Sequence, residues 1–221
     1  MPVALLLQSW PVVYALVVLI SLFTSPALAN DIVPLNQKTI SVGIVADNEP
    51  YSSYGANGTE GFSVDVLNEV SRISGLKFEY RVGSWSDIFA AFQRGEIDVV
   101  DEISWSEDRA QTMLFTRPYH TRQTVVMHDK RRPLPSIRSL EDLKPYRVGS
   151  LKDIYYSPML QNAGLGTTPY GLQSEMVQAL SFGWVDAIIG PEVTLGYFAR
   201  QKGFGSLDVA SLAPLNGQDQ E

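Results

Sequence analysis

The stretch from Thr39 to Ile103 constrains the fold most, because strand-like and helix-like patterns alternate along it. Ile40, Val42 and Ile44 alternate with Ser41, Gly43 and Val45, which is the period of a strand. Asp47-Asn48-Glu49-Pro50 breaks that run, and Gly55 to Gly58 forms a turn. From Ser63 to Ser74 the apolar residues Val66, Leu67, Val70 and Ile73 recur at helical spacing and stop at Gly75. Lys77 to Val82 reads as a second strand. Ser86 is expected to cap a helix that runs through Phe92 and ends at Gly95. Ile97 to Ile103 reads as a third strand. Strands that alternate with helices require a parallel sheet covered on both faces. An α/β fold is therefore expected.

An internal echo points to two lobes of similar build. Ala91-Phe92-Gln93-Arg94-Gly95-Glu96-Ile97-Asp98-Val99-Val100 is a helix end, a glycine stop and a strand. Ala179-Leu180-Ser181-Phe182-Gly183-Trp184-Val185-Asp186-Ala187-Ile188 repeats that order. Between the two lies Lys130-Arg131-Arg132-Pro133-Leu134-Pro135. Charge followed by prolines, which lack an N–H for a ladder, is a linker composition. The expected organisation is lobe 1 over 38–128, a hinge over 129–136 and lobe 2 over 137–213. Residues 214–221 would form a polar tail or a truncated return segment.

Residues 1–29 carry no charge. Val12 to Phe23 is apolar except for Ser21, and Ala27-Leu28-Ala29 offers small residues at A-x-A spacing. This reads as a secretory signal cut after Ala29. The competing reading is an uncleaved anchor from Val3 to Phe23, which Gln8, Ser9 and Pro11 interrupt. Either puts the folded part outside the cytoplasm, and a periplasmic location is expected.

Composition removes several classes. Apolar residues make up 45% of the chain and charged residues 19%, the usage of a folded protein. The net charge of −7 comes without a basic stretch, so nucleic acid is not an expected partner. No cysteine is present, which excludes disulfides and a thiol nucleophile. The sequence holds no phosphate-binding glycine loop and no G-x-S-x-G elbow. His120 and His128 are the only histidines, and without carboxylates at ligand spacing they read as surface or packing residues. No metal and no cofactor are expected.

One residue opposes its local field. Ser106 suits a helix N-cap, and Glu107 and Asp108 suit the positive helix end. Arg109 falls in the same turn, where a cation is disfavoured by about 0.3–1 kcal/mol. Arg109 either pairs with Glu107 or Asp108, or binds an anion with its guanidinium fork. Tyr51 and Tyr54 lie in the loop after the first strand, and Trp85 lies in the loop after the second. Ligands in open α/β sheets collect beyond the carboxyl ends of strands. Loops carrying Tyr51, Trp85 and Arg109 would meet at one such crevice.

Several pieces then match a known family in order. They are Ile40-Ser41-Val42-Gly43 with Pro50-Tyr51, Gly61-Phe62-Ser63-Val64-Asp65-Val66, Ser84-Trp85 and Gly95-Glu96-Ile97-Asp98-Val99. Ser104 with Glu107-Asp108-Arg109, Phe115-Thr116-Arg117-Pro118-Tyr119, Ser139-Leu140-Glu141-Asp142-Leu143 with Val148-Gly149, and Gly183-Trp184-Val185-Asp186-Ala187 follow. Over about 39–200 the chain resembles the family 3 extracellular solute-binding proteins, the type II periplasmic binding fold of polar amino-acid receptors.

The resemblance implies a two-lobed clamshell that closes on a small anionic or zwitterionic ligand. It implies that Arg109 binds the ligand carboxylate, that Ser104 assists it, and that Trp85 and the Tyr51 loop flank the ligand. The family's lobe 2 aspartate for the ligand ammonium falls here on Pro191, between Gly190 and Glu192, and the first aromatic of the strand 1 loop falls on Asn48. Either Glu102 or Glu192 takes the aspartate's part, or the ligand has no α-ammonium. The C-terminal return to lobe 1 reads as truncated. The implied function is binding of an amino acid or related organic acid, for uptake through an ABC transporter permease or for sensing through a downstream membrane or signalling domain. No catalytic residue is expected. The enzymatic alternative is a cyclohexadienyl dehydratase-like or transglycosylase-associated domain, with Glu102 beside Arg109 as its pair.

Overall fold

The computed structural model describes residues 38–213, Leu215 and the backbone pairing of residues 219–220. The expected secretory signal lies outside the described residues. Among the described residues no helix is long and apolar enough to cross a membrane.

Strand β1 (Thr39–Val45) forms where the alternation predicts it. The short strands β2 (Asp47–Asn48), β3 (Ser52–Gly55) and β4 (Gly58–Glu60) form a small antiparallel sheet in the loop that follows. Helix α1 (Phe62–Ser74) ends at Gly75, whose φ of 74° suits a residue without a side chain. Strand β5 (Lys77–Gly83), helix α2 (Trp85–Gln93) and strand β6 (Val99–Val100) complete the first half. Its main sheet has the order β5-β1-β6 with all strands parallel.

Two local expectations shift. Helix α2 is capped by Ser84 rather than Ser86: Asp87 N donates to Ser84 Oγ at 3.3 Å, and Ser84 Oγ donates to the Asp87 carboxylate at 2.7 Å. The third strand is shorter than the expected Ile97 to Ile103, because Glu102 takes a φ of 57° and turns the chain out of the ladder.

Helix α3 (Glu107–Ala110) is a single turn, capped by Ser106. Beyond it come β7 (Thr121–Arg122) and β8 (Thr124–Asp129). After a 3₁₀ turn (Leu140–Leu143), the second half is built from β9 (Val148–Leu151), α4 (Ser157–Asn162), β10 (Thr167–Tyr170), α5 (Gln173–Phe182), β11 (Ala187–Pro191), α6 (Glu192–Gln201) and β12 (Leu207–Leu212). Its sheet has the order β10-β9-β11-β8-β12; the first three strands are parallel, and β8 runs antiparallel to both neighbours.

Strand β8 therefore belongs to the second sheet, and the chain crosses between sheets before Thr124 rather than at 129–136. The charged, proline-bearing segment is a tight return after β8. Arg131 and Arg132 fold back onto buried Asp129, with Arg131 Nη2 at 2.6 Å from its carboxylate. Strand β13 (Asp219–Gln220) pairs antiparallel with β7 in this crossing segment.

The second half holds the larger core. Met176, Val177, Leu180, Ile188 and Leu195 pack with Val125 and Met127, while Leu143, Tyr156, Leu160 and Ile189 fill the opposite face of the sheet. Each fully buried side chain of this size stabilises the fold by about 1.5–3 kcal/mol. In the first half Val42, Ile44 and Val64 are buried, with Leu67, Phe78, Tyr80 and Val82 against them.

Candidate functional site

The parallel strands β5, β1 and β6 point their carboxyl ends at the second half, so the loops that follow them face it. Trp85 opens α2 directly after β5. Asn48 lies in the loop after β1. Glu102, Ser104 and Arg109 follow β6. These residues line a cavity with Arg122, Leu151, Ile154, Tyr156, Gln173, Met176, Gly190 and Pro191, contributed by the crossing segment and the second half. The room left among them is about 30 Å³, enough for roughly one or two water molecules.

Arg109 is 8% exposed. Its guanidinium carbon lies 5.2 Å from the Trp85 ring centre and 5.0 Å from that of Phe89, and those two rings stack 5.1 Å apart. The Tyr155 ring approaches it at 6.0 Å from the other half. Arg109 Nη1 donates to the Ser104 carbonyl at 3.0 Å. A planar cation held against aromatic faces is fixed in orientation. Because α3 is a single turn, its dipole opposes this arginine only weakly.

Glu102 lines the cavity from within a dense polar cluster. Its Oε1 accepts from Ser63 Oγ at 2.7 Å, from Tyr119 OH at 3.0 Å and from His120 Nε2 at 2.7 Å. Arg122 Nη1 lies 3.4 Å from its Oε2. Burial opposes the Glu102 charge, but the His120 hydrogen bond, the Arg122 cation and the Ser63 hydroxyl together hold its carboxyl below the usual range. Its neighbour Asp101 has fewer favourable partners. Burial, then the Glu102 charge, push the Asp101 carboxyl up to about 7.

The two halves touch through polar bonds around this cavity. Trp85 Nε1 donates to the Asp153 carbonyl at 2.9 Å. Gln173 Nε2 donates to the Asp47 carbonyl at 3.3 Å and to Asn48 Oδ1 at 3.1 Å. Ser174 N donates to Asp47 Oδ2 at 2.9 Å, so a carboxylate from the first half caps helix α5 of the second. Arg122 Nη1 also donates to Asn48 Oδ1, at 3.2 Å.

Of the residues chosen from the sequence, Arg109, Ser104, Trp85 and Glu102 come together on the cavity. Tyr51 stands one layer behind. Its ring stacks on His120 at 5.0 Å and lies under the Arg122 guanidinium at 5.3 Å. Glu192 opens α6 and borders a separate groove with Met127 and Leu207, away from the cavity. His128 Nδ1 accepts from Leu134 N at 3.1 Å, and His120 belongs to the Glu102 cluster. Among the described residues no group of His, Asp and Glu is placed to hold a metal ion. Arg122 and Gln173 escaped the sequence reading. Their positions depend on Asn48, far away in the chain, and no local pattern marks them.

Comparison with known proteins agrees with this architecture. Residues 40–201 match the profile of the bacterial extracellular solute-binding proteins, family 3. A probable histidine-binding protein of Neisseria gonorrhoeae is 24% identical over 79% of this chain and 67% of its own length. An L-cystine-binding protein of Bacillus subtilis is 23% identical over 77% of this chain and 64% of its own length. The chain thus spans about two thirds of the length of the curated relatives it matches. Among solved structures, a histidine kinase sensor domain with similarity to periplasmic binding proteins superposes with a TM-score of 0.76 at 27% identity, covering 83% of this chain and 80% of that one. The arginine-bound arginine-binding protein of T. maritima shares the fold at a TM-score of 0.72 and 19% identity, covering 83% and 85%. The fold is the type II periplasmic binding architecture.

Proposed function

Because the chain belongs to the bacterial extracellular solute-binding proteins of family 3, we propose that it binds a small carboxylate-bearing solute, an amino acid or related organic acid, in the cavity between its two sheets. The observation that carries this reading is the buried guanidinium of Arg109, oriented by Trp85 and Phe89 on the cavity wall. A buried cation at a cavity is a strong anchor for a carboxylate, since a bidentate pair satisfies fork and charge together. Ser104 adds polar contact beside it. Trp85, Tyr156 and Met176 cover the solute's apolar parts.

A cavity of about 30 Å³ is smaller than any amino acid, so the solute enters when the halves part and is held when they close. The polar bonds around the cavity favour closure, and the solute adds its own bonds to that state. Closure is the signal that another protein reads. The relatives named as binding proteins support delivery to a transporter, and the likeness to a histidine kinase sensor domain supports signalling. Both readouts use the same binding step.

The test is a thermal-shift screen of the standard L-amino acids and their parent organic acids, followed by calorimetry on those that stabilise the chain. Stabilisation by a subset, lost in Arg109→Ala, is the expected result. No stabilisation by any carboxylate overturns the proposal.

A further inference from the structure

The turn that closes α5 carries an aromatic pair that the fold does not bury. Phe182 is 56% exposed and Trp184 64%, and their rings lie 5.5 Å apart on either side of Gly183. Phe204, packed on the core below, meets Phe182 at 6.3 Å. Exposed apolar side chains are ordinary when scattered, but neighbouring rings on one turn mark a contact surface.

The molecule supplies its own comparison. The helix–glycine–strand order occurs twice, with Gly95 at a φ of 74° in the first half and Gly183 at 75° in the second. Arg94 and Glu96 flank the first glycine as Phe182 and Trp184 flank the other. Arg94 and Glu96 form an exposed ion pair at 2.7 Å. The same turn is therefore made with two solvated charges, and its backbone does not require rings.

Three arginines are tied to the same segment. Arg131 Nη2 donates to the Ser181 carbonyl at 3.3 Å and Arg132 Nη2 to the Leu180 carbonyl at 2.7 Å. Arg132 Nη1 stands so close that a Cβ on Gly183 would lie 2.7 Å from it. Arg147 forks onto Asp186, with Nε at 3.0 Å and Nη2 at 2.6 Å. The charges are layered. Asp129, which holds Arg131 and Arg132, is fully buried, and the Asp186 side chain is 27% exposed, whereas Arg131 is 66% and Arg147 58% exposed. Solvent meets the guanidinium groups first and the carboxylates beneath them. Three arginines over two aspartates leave one net positive charge, in a chain whose net charge is −7.

Two exposed rings are too few for a stable protein interface, which covers about 800 Å² on each partner. A bilayer makes no such demand. Aromatic rings sit at the level of its headgroups, and arginines fork onto its phosphates. A guanidinium has five donors, so the fork onto an aspartate leaves others for a phosphate. The family to which the chain belongs is bacterial and extracellular, which puts a phosphate-rich membrane within reach. We propose that the turn over residues 180–186 docks on an anionic phospholipid surface. Phe182 and Trp184 enter it at headgroup level, and Arg131, Arg132 and Arg147 take lipid phosphates. None of these five residues lines the solute cavity, so docking leaves the binding step to the other end of the second half's helices.

The experiment is amide hydrogen exchange on the full chain, with vesicles of mixed phosphatidylglycerol and phosphatidylcholine, with vesicles of phosphatidylcholine alone, and without lipid. Exchange over residues 180–186 should slow by about threefold or more on the anionic vesicles and stay unchanged on the neutral ones. The matching turn over residues 92–98 should not respond to either. The double variant Phe182→Ser, Trp184→Ser changes only exposed side chains and should lose the protection, while Trp105→Ser, at an exposed ring elsewhere, should keep it. Arg147→Gln should raise the vesicle concentration for half-protection about fivefold, and salt at about 0.5 M should act in the same direction. Absence of slowing on anionic vesicles, or equal slowing on neutral ones, overturns the proposal. So does full protection in the double variant. If Arg147→Gln fails to melt cooperatively, the salt dependence decides, and protection indifferent to salt overturns the role of the arginines. Slowing that follows protein concentration without lipid would assign the turn to a contact between two copies and overturn the membrane site.

Discussion

Trp85 Nε1 donates to the carbonyl of Asp153 at 2.9 Å, tying α2 of the first half to the loop after β9 in the second. Asp153 presents that carbonyl from a φ of 56°, in the left-handed region. A non-glycine residue pays roughly 1–2 kcal/mol to stand there. The bond is one of a small set that must break when the halves part, with those from Gln173 and Ser174 to Asp47.

Trp85→Phe keeps a ring against Phe89 and Arg109 and removes only the donor. A single hydrogen bond contributes about 1 kcal/mol, so opening should become about fivefold more frequent. Amide hydrogen exchange over residues 151–154 should quicken by that factor. Unchanged exchange there would show that the bond does not resist opening.

Arg109→Lys keeps the charge but loses the planar fork that lies against Trp85 and Phe89. A lysine cannot restore bidentate contact. Removing one side of a buried charge pair costs about 2–5 kcal/mol. Arg109→Ala should therefore weaken carboxylate binding by that amount, and Arg109→Lys should recover only a minor part. Calorimetry on an amino acid found in the screen reads this, and a loss below about threefold in the alanine variant would remove Arg109 from the site.

The alternation in β1 and the spacing in α1 run unbroken, so both elements were legible from the sequence. The cap of α2 was not, because Ser84 and Ser86 both stand at its start and only the Asp87 bonds choose between them. The run Ile97 to Ile103 looks like a full strand, yet the backbone of Glu102 ends the pairing early. Arg109 stood out because it opposed its own turn. Arg122 and Gln173 did not, since both depend on Asn48, 74 and 125 residues away in the chain. The placement of strand β8 was hidden for the same reason: its partners β11 and β12 follow far downstream. What local pattern encodes was readable, and what distant pairing decides was not.

Gly43 in the central strand of the first sheet sits under α2. A Cβ at that position would lie 2.5 Å from Ile88 Cγ2. Gly43→Ala must push Ile88 and its helix outward, and overpacking of this kind costs about 1–3 kcal/mol. Because α2 begins with Trp85, the shift also moves a wall of the cavity. We expect a lower denaturation midpoint and weaker solute binding together. Wild-type stability in this variant would mean that α2 packs less closely on β1 than these distances require.

Asp101 gives a pH dependence whose sign is fixed by its surroundings. It is buried beside Glu102. Its Oδ1 accepts from Tyr119 OH at 3.2 Å, while its Oδ2 has no hydrogen-bond donor among the described residues. With burial and the Glu102 charge raising its carboxyl to about 7, the folded chain holds a proton that the unfolded chain releases near pH 4. Between about 4 and 7 the folded state binds more protons, so stability falls as pH rises through that window. The loss amounts to at most roughly 4 kcal/mol. Glu102 shifts the other way. Its contribution is already complete above the unfolded glutamate value of about 4.3 and is flat beyond pH 5 or so. Asp101→Asn carries no charge at any pH. Its melting temperature should match the wild type near pH 4 and exceed it at pH 8, and the difference between the two curves isolates Asp101. Curves that stay parallel from pH 5 to pH 8 would mean that this carboxyl is ionised throughout and that another group compensates its burial.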